Sequence, residues 1–358
     1  MRDAMMKFKR IFFLVPILAV ISFACTMPGI SNITATGTPV PTNTQAPSQT
    51  PQSSPTPISL PSQIATEQIT SSTYTQSGNE DITVIADNSF RVDTLDYIAG
   101  IIQNNTTNTI EWIKMSVLIY NKEGSLIATE SVYPFLDKLT PDDTSPFLVY
   151  SDAWAEGATY DFLVEDYDIS EEPPPTGLEI LSHNSYSDEY SLYLVGEIQN
   201  NSDKLISYVK IAAALYAADG TLLNTNYTYA MINYIAPGAK SPFKIWFSDA
   251  WQDGDTYEIQ VQGSYDEFAS EQVIQVVDFG VKNEEGVCTV TGNVKNAGAA
   301  EITYATVIAA FYDSSNTLLE AEWSYTTADT FPAGSTVPFT ITSYSCPEYD
   351  HLEVYAGN

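Results

Sequence analysis

A block recurs three times in this chain at a spacing of 96 residues, and no other property constrains its folding as tightly. Gly100, Gly196 and Gly292 open the block; Asn104, Asn200 and Asn296 follow four positions later, and Tyr120, Tyr216 and Tyr312 keep the interval. The turn after each tyrosine ends in Gly124, Gly220 or Asn316, residue types that tolerate positive φ. Each copy has roughly ninety residues, enough to carry its own core, so the chain reads as three tandem domains.

The periodicity inside each copy is two, which excludes a helical array. Ile98, Gly100 and Ile102 alternate with Ala99, Ile101 and Gln103, and the same inward parity returns as Leu194, Gly196, Ile198 and as Val290, Gly292, Val294. The next strand has the inward sets Ile113, Met115, Val117, Ile119, then Val209, Ile211, Ala213, Leu215, then Ala305, Val307, Ala309, Phe311. With six or seven such strands per copy, the expected fold is all-β: three tandem Ig-like antiparallel β-sandwich domains over residues 82–172, 177–265 and 273–358. The run Glu171-Glu172-Pro173-Pro174-Pro175 predicts a stiff spacer after the first domain, and residues 265–272, without proline, a looser one after the second. The expected array is a rod with one stiff and one loose joint.

Residues 1–24 are expected to be a leader. Arg2, Lys7, Lys9 and Arg10 precede an apolar run over residues 11–24, too short for the roughly 20 residues a spanning helix needs, and this is the pattern of an export signal. The run closes on Ser22-Phe23-Ala24-Cys25, which resembles the lipobox of bacterial lipoproteins. That resemblance implies acylation of Cys25, which becomes the mature N-terminus and anchors the chain to a membrane; each buried methylene contributes about 0.8 kcal/mol. Residues 25–81 are then a tether. From residue 26 to 80 there is no Lys or Arg and one aromatic, Tyr74, among Thr, Ser, Pro and Gln, so this stretch cannot bury enough apolar surface to offset chain entropy and is expected to be disordered. The expected address is the cell envelope, facing outside the cytoplasm.

Charge narrows the partners. The chain holds 14 basic and 45 acidic side chains; removal of the leader takes four basic and one acidic, leaving 10 against 44. Nucleic acid is excluded as a partner, since phosphate recognition needs clustered Lys and Arg. The acidic turns at Asp142-Asp143 and Asp253-Gly254-Asp255 offer oxygen ligands to calcium, but neither has EF-hand spacing, and solvated surface charge is the expected reading.

The repeated blocks also resemble a known family. Gly-x-Ile/Val-x-Asn is followed by a strand ending in Val117-Leu118-Ile119-Tyr120-Asn121, Ala213-Ala214-Leu215-Tyr216-Ala217 or Ala309-Ala310-Phe311-Tyr312-Asp313, and then by a Pro turn and Pro-Phe, fullest at Pro237-Gly238 and Pro242-Phe243. Together these resemble the FxLYD domain of bacterial extracytoplasmic proteins. The resemblance spans about residues 82–356 and implies a β-sandwich module without a defined catalytic activity; it carries over no functional residue.

Few residues suggest chemistry. Cys288 and Cys346, the remaining cysteines, fall in the third copy outside the reducing cytoplasm, and a disulfide between them is expected. With His351 they fall short of a structural zinc shell, so no metal site is expected. His183 and His351 are the only histidines and lie in different copies, so no Ser-His-acid or Cys-His set can form in one domain. Paired carboxylates such as Asp142 and Asp143 would meet a glycosidase's minimum, but they sit in turns of small domains without room for a cleft. No cofactor motif is present.

The aromatics mostly follow the repeat: Trp112 with Tyr208 and Tyr304, Tyr227 with Trp323, and Tyr133 with Tyr229 and Tyr325. Recurrence at equivalent positions is read as packing. Trp246 departs from it, with Tyr150 and Thr342 as counterparts, and its parity is opposite to Phe243 and Ile245; it is the candidate for an exposed ligand or partner patch. The expected function is non-enzymatic: an envelope lipoprotein displaying three β-sandwich modules for adhesion or protein interaction, bound to a protein or cell-wall glycan. The alternative is an extracytoplasmic lipoprotein that binds glycan or a small ligand.

Overall fold

The computed structural model describes residues 80–357 apart from 93–94, 154–155, 189–190, 249–250, 252–255, 266–272 and 329. Cys25, the leader, the tether up to residue 79, Asp253 and Asp255 lie outside the described residues. The described residues are all-β, with antiparallel pairing throughout.

The first copy contributes β1 (Ile82–Val92), β2 (Leu95–Asn104), β3 (Ile110–Tyr120), β4 (Leu126–Val132), β5 (Lys138–Leu139), β6 (Thr144–Ser151) and β7 (Thr159–Ile169). One sheet has the order β1-β2-β6; in the other, β3 pairs with β4, β5 and β7. The second copy repeats this with β8 (Leu178–Ser187), β9 (Leu192–Asn200), β10 (Ile206–Tyr216), β11 (Leu222–Tyr229), β12 (Tyr234–Ile235), β13 (Lys240–Phe247) and β14 (Thr256–Tyr265). Its sheets are β13-β9-β8 and a set centred on β10. The third copy comprises β15 (Ile274–Glu284), β16 (Val287–Asn296), β17 (Ile302–Thr303), β18 (Thr306–Tyr312), β19 (Leu318–Tyr325), β20 (Thr330–Phe331), β21 (Thr336–Ser343) and β22 (His351–Gly357). There the strand equivalent to β3 is divided at Tyr304 and Ala305 into β17 and β18.

Each pair of sheets encloses an apolar core built from the predicted inward parity: Ile98, Ile102, Met115 and Val117 in the first, Leu194, Ile198, Ile211 and Leu215 in the second, Val290, Val294, Val307 and Phe311 in the third. Each such side chain contributes roughly 1.5–3 kcal/mol on burial. The recurring glycine has a direct cause. A Cβ on Gly100, Gly196 or Gly292 would lie 2.2, 2.4 or 2.8 Å from the ring of Phe147, Phe243 or Phe339, so the ring on the neighbouring strand occupies the space a side chain would need.

The recurring asparagine is a buried clamp. Asn104 Nδ2 donates to the carbonyls of Asn108 and Leu139, both at 2.9 Å, while Oδ1 accepts from Thr106 N at 2.9 Å. Asn200 and Asn296 repeat the pattern on Lys204 and Ile235, and on Ala300 and Phe331. One side chain thus satisfies three backbone groups and ties two loops together in every copy. The turns after the tyrosines use the predicted left-handed position, with φ of 78°, 87° and 61° at Gly124, Gly220 and Asn316. Cys288 and Cys346 form a disulfide with Cα atoms 5.2 Å apart, fastening β16 to the segment before β22.

The sandwiches do not form the jointed rod expected from the connecting segments. They stack sheet against sheet, because residues on the outward parity are buried as completely as those inside. In the first seam Ala99 and Ile101 of β2, with Phe90 and Leu148, pack on Ala214, Leu222 and Tyr216. In the second, Val195 of β9, with Ile232 and Tyr186, packs on Ile308, Ala310, Tyr312, Leu318 and Ala321. The result is six layers in fixed order. The two terminal faces are polar instead: Lys114 and Ser116 both bind Glu165 at one end, and Thr291 and Asn293 occupy the outward parity of β16 at the other.

Candidate functional site

An open cleft of about 740 Å³ lies where the second and third sandwiches meet. Its rings come from three sources: Tyr193 and Trp246 from β9 and β13, Tyr229 and Tyr234 from the end of β11 and from β12, and Tyr304, Trp323 and Tyr325 from the third sandwich. Trp246 stands on the outward face, as its parity requires, and is 55% exposed; Phe243, Ile245 and Phe247 point into the core.

Recurrence does not mark these aromatics as packing residues. Trp112, Tyr208 and Tyr304 are exposed in all three copies, as are Tyr133, Tyr229 and Tyr325, and so are Tyr227 and Trp323. The reason is a break repeated in the strand that carries the first set. Trp112 and Tyr208 have φ of 55° and 51°, outliers for bulky residues, at places where the register of β3 and β10 against β7 and β14 shifts. A β-bulge re-aims the side chain it carries, here away from the core. At the third position the strand is interrupted altogether, and the Tyr304 and Tyr325 rings meet edge to face with centroids 5.0 Å apart, while Trp323 meets Tyr325 at 5.1 Å.

The electrostatics of the cleft are set by its floor. Lys244 Nζ lies 2.8 Å from Glu320 Oε1 and 3.8 Å from Glu322 Oε2, and over the Tyr193 ring at 5.0 Å. Glu320 is almost fully buried and also accepts the Tyr186 hydroxyl. Burial pushes its carboxyl above the ordinary range, against the opposing pull of Lys244 and Tyr186. Deeper in the seam Glu197 accepts from Tyr312 and Tyr355, each at 2.7 Å, and pairs with Lys240 at 2.8 Å. Burial raises the phenols of Tyr186, Tyr312 and Tyr355, so they are neutral donors.

The equivalent place in the first seam is filled. There Phe135 packs on Tyr227 with centroids 4.7 Å apart, Lys210 reaches Asp137 at 2.9 Å, and Gln262 bonds the backbone of Asp137 and Lys138. Met231, Asn233 and Thr306 hold the positions of Phe135, Asp137 and Lys210 in the second seam, and the smaller or uncharged side chains leave the cleft open. A separate hollow of about 590 Å³ beside Trp112, Tyr133 and Lys138 lies on the first sandwich where it meets Ser264 of β14. Among the described residues no three His, Cys, Asp or Glu side chains come close enough together to hold a metal ion. His183 bonds Tyr257 and His351 stacks on Tyr312.

No family model matches the chain, and no curated protein matches it. Among solved structures it is similar to the exo-β-D-glucosaminidase CsxA, with 11% identity and a TM-score of 0.17 over 68% of this chain and 22% of that one. It is also similar to a calcium-binding mutant of Bacteroides uniformis β-glucuronidase 2, with 12% identity and a TM-score of 0.14 over 49% of this chain and 24% of that one. A third is dimeric latent PorU from Porphyromonas gingivalis, with 9% identity and a TM-score of 0.16 over 73% of this chain and 30% of that one. The chain spans less than a third of each of these proteins, and likeness at this level carries no argument about function.

Proposed function

We propose that this chain is a non-enzymatic lipoprotein of the cell envelope, with FxLYD-like sandwiches, anchored through Cys25 and displaying them on the tether of residues 25–81 as one adhesive body. The observation that carries the reading is the sheet-to-sheet stack: it fixes a row of exposed aromatics, Trp112 and Tyr133 through Tyr304 and Tyr325, on a body with buried seams rather than on independently moving beads. A fixed array of amphipathic rings suits binding, because little conformational freedom is lost when a partner docks. The lipobox-like Ser22-Phe23-Ala24-Cys25 supports the address.

Two measurements test this. Cys25→Ser is expected to move the protein from the membrane fraction to the soluble extracytoplasmic fraction; unchanged fractionation would defeat the anchor. Cells lacking the chain are expected to lose attachment to envelope material or to neighbouring cells, with recovery on complementation. Equal attachment with and without the chain removes the adhesive reading.

A further inference from the structure

We infer that the cleft between the second and third sandwiches is a carbohydrate site that takes a short stretch of an uncharged glycan chain; the inference rests on the surface-binding reading above and names its ligand. Three properties of the cleft point to this chemistry together. Its volume of about 740 Å³ lies within the roughly 300–1,000 Å³ of small-ligand sites. Its larger side chains are tyrosine and tryptophan with only Met231 aliphatic, so nearly every apolar face offered has a polar edge beside it. A pyranose ring has that same division, with C–H faces above and below and hydroxyls around the rim, whereas an apolar peptide anchor would call for the aliphatic lining that is missing.

Charge selects among glycans. The molecule carries a net charge of −31, and the lysine in the cleft is already neutralised by Glu320 and Glu322. A polyanionic sugar would meet repulsion without a spare cation there, while a neutral one would find hydrogen-bonding partners in Asn233, Thr228 and Thr306 between the rings. The geometry is also particular to this seam. The same place in the first seam is closed by Phe135 on Tyr227 and by Lys210 on Asp137, so the opening follows from departures from the repeat rather than from stacking as such.

The test is affinity electrophoresis of the full chain in native gels cast with laminarin, galactomannan or hydroxyethylcellulose, with polygalacturonate as the charged comparison. Tryptophan emission is followed during titration with the matching oligosaccharides. Retardation by at least one neutral polysaccharide is expected, weakened about tenfold in Trp246→Ala and in Trp323→Ala. Trp323→Tyr is expected to keep part of the affinity and Tyr344→Ala, on an exposed residue outside the cleft, all of it. Thermal unfolding of each variant, expected to match the parent, shows that the fold is intact. Retardation by none of the neutral polymers, preference for polygalacturonate, or equal retardation of parent and both alanine variants each overturns the proposal. If none of the neutral polymers retards the chain while cell attachment still falls in Trp323→Ala, the ligand is a protein: the glycan inference fails and the adhesive reading stands.

Discussion

The first and second seams are built from the same positions of the repeat, and each has an apolar cluster, but the side chains around that cluster differ in kind. In the first, Phe90, Ile101 and Leu148 meet Asn224 and the alanines of β10, and the amides of Gln260 and Gln262 close the rim. In the second those positions carry Tyr186, Glu197, Lys244 and Glu320, and an ion and phenol network is added beside the apolar cluster of Val195, Ile308 and Ala310. Yet the geometry is kept: Phe90 stacks on Tyr97 at 5.4 Å, and Tyr186 on Tyr193 at 4.9 Å. Backbone stacking is therefore indifferent to which chemistry fills the contact. The difference lies in tolerance, because an apolar seam suffers from an added charge, whereas a network suffers from the loss of any one member.

The sharpest way to break this contrast is Ala214→Glu, which sets a carboxylate against Ala99 and Ile101 with no cation among the cluster. An uncompensated buried charge costs about 3–5 kcal/mol, so urea unfolding should show the first sandwich separating in a transition of its own. A loss below about 1 kcal/mol would mean that the seam adds little to stability. Next in size is Glu320→Ala, which strands Lys244 and the Tyr186 hydroxyl. With Glu322 still 3.8 Å from Lys244, the expected loss is about 2–3 kcal/mol, confined to the second seam.

Glu320→Gln sharpens the same point through pH. Burial sets the folded value of Glu320 above its ordinary 4.5, so the folded chain holds this proton more tightly than the unfolded one. Its stabilising contribution is complete below the unfolded value and is lost as pH rises through the folded one. The stability of the parent minus that of Glu320→Gln should therefore grow between pH 7 and pH 5 in urea titrations; a constant difference refutes the assignment. Smallest in energy is Phe135→Met with Lys210→Thr, which gives the first seam two of the three residues that open the second. Loss of the ring pair costs about 1 kcal/mol, and a crystal structure should show a new cleft beside Tyr227.

Much of the fold was legible, and the gaps have physical causes. The inward parity and the turns follow from alternation and positive-φ residue types, both local in sequence, and the disulfide joins the only two cysteines that follow Cys25. The stacking was also written there, but in the complementary parity. β10 reads Ile211-Ala212-Ala213-Ala214-Leu215 and β18 reads Val307-Ile308-Ala309-Ala310-Phe311, apolar on both faces, whereas β3 is broken by Lys114 and Ser116. A continuous apolar run signals burial on two sides. Of the cleft's rings, the outward face of Trp246 is legible from its parity, whereas Trp323, Tyr304 and Tyr325 follow the repeat and read as packing residues in the sequence. The exposure of Tyr304 goes with the break between β17 and β18, the counterpart of the bulges at Trp112 and Tyr208, and such a backbone feature has no residue signature of its own. The recurring tyrosine misled in the other direction, since Tyr312 serves the seam through Glu197 as well as the fold.

The polar outer faces of the end sandwiches have a consequence for how such a molecule can lengthen. In the language of polymers, the first repeat is an initiator, with a sticky face on one side and Lys114 and Glu165 on the other, and the third is a terminator, finished by Thr291 and Asn293. The middle repeat alone has the two reactive ends of a propagating monomer, Ala212 and Ala214 on one side and Val195 on the other. Duplication of that unit would extend the stack without leaving an uncovered apolar sheet, while duplication of either end unit would trap a charged or hydroxylated face inside a new seam.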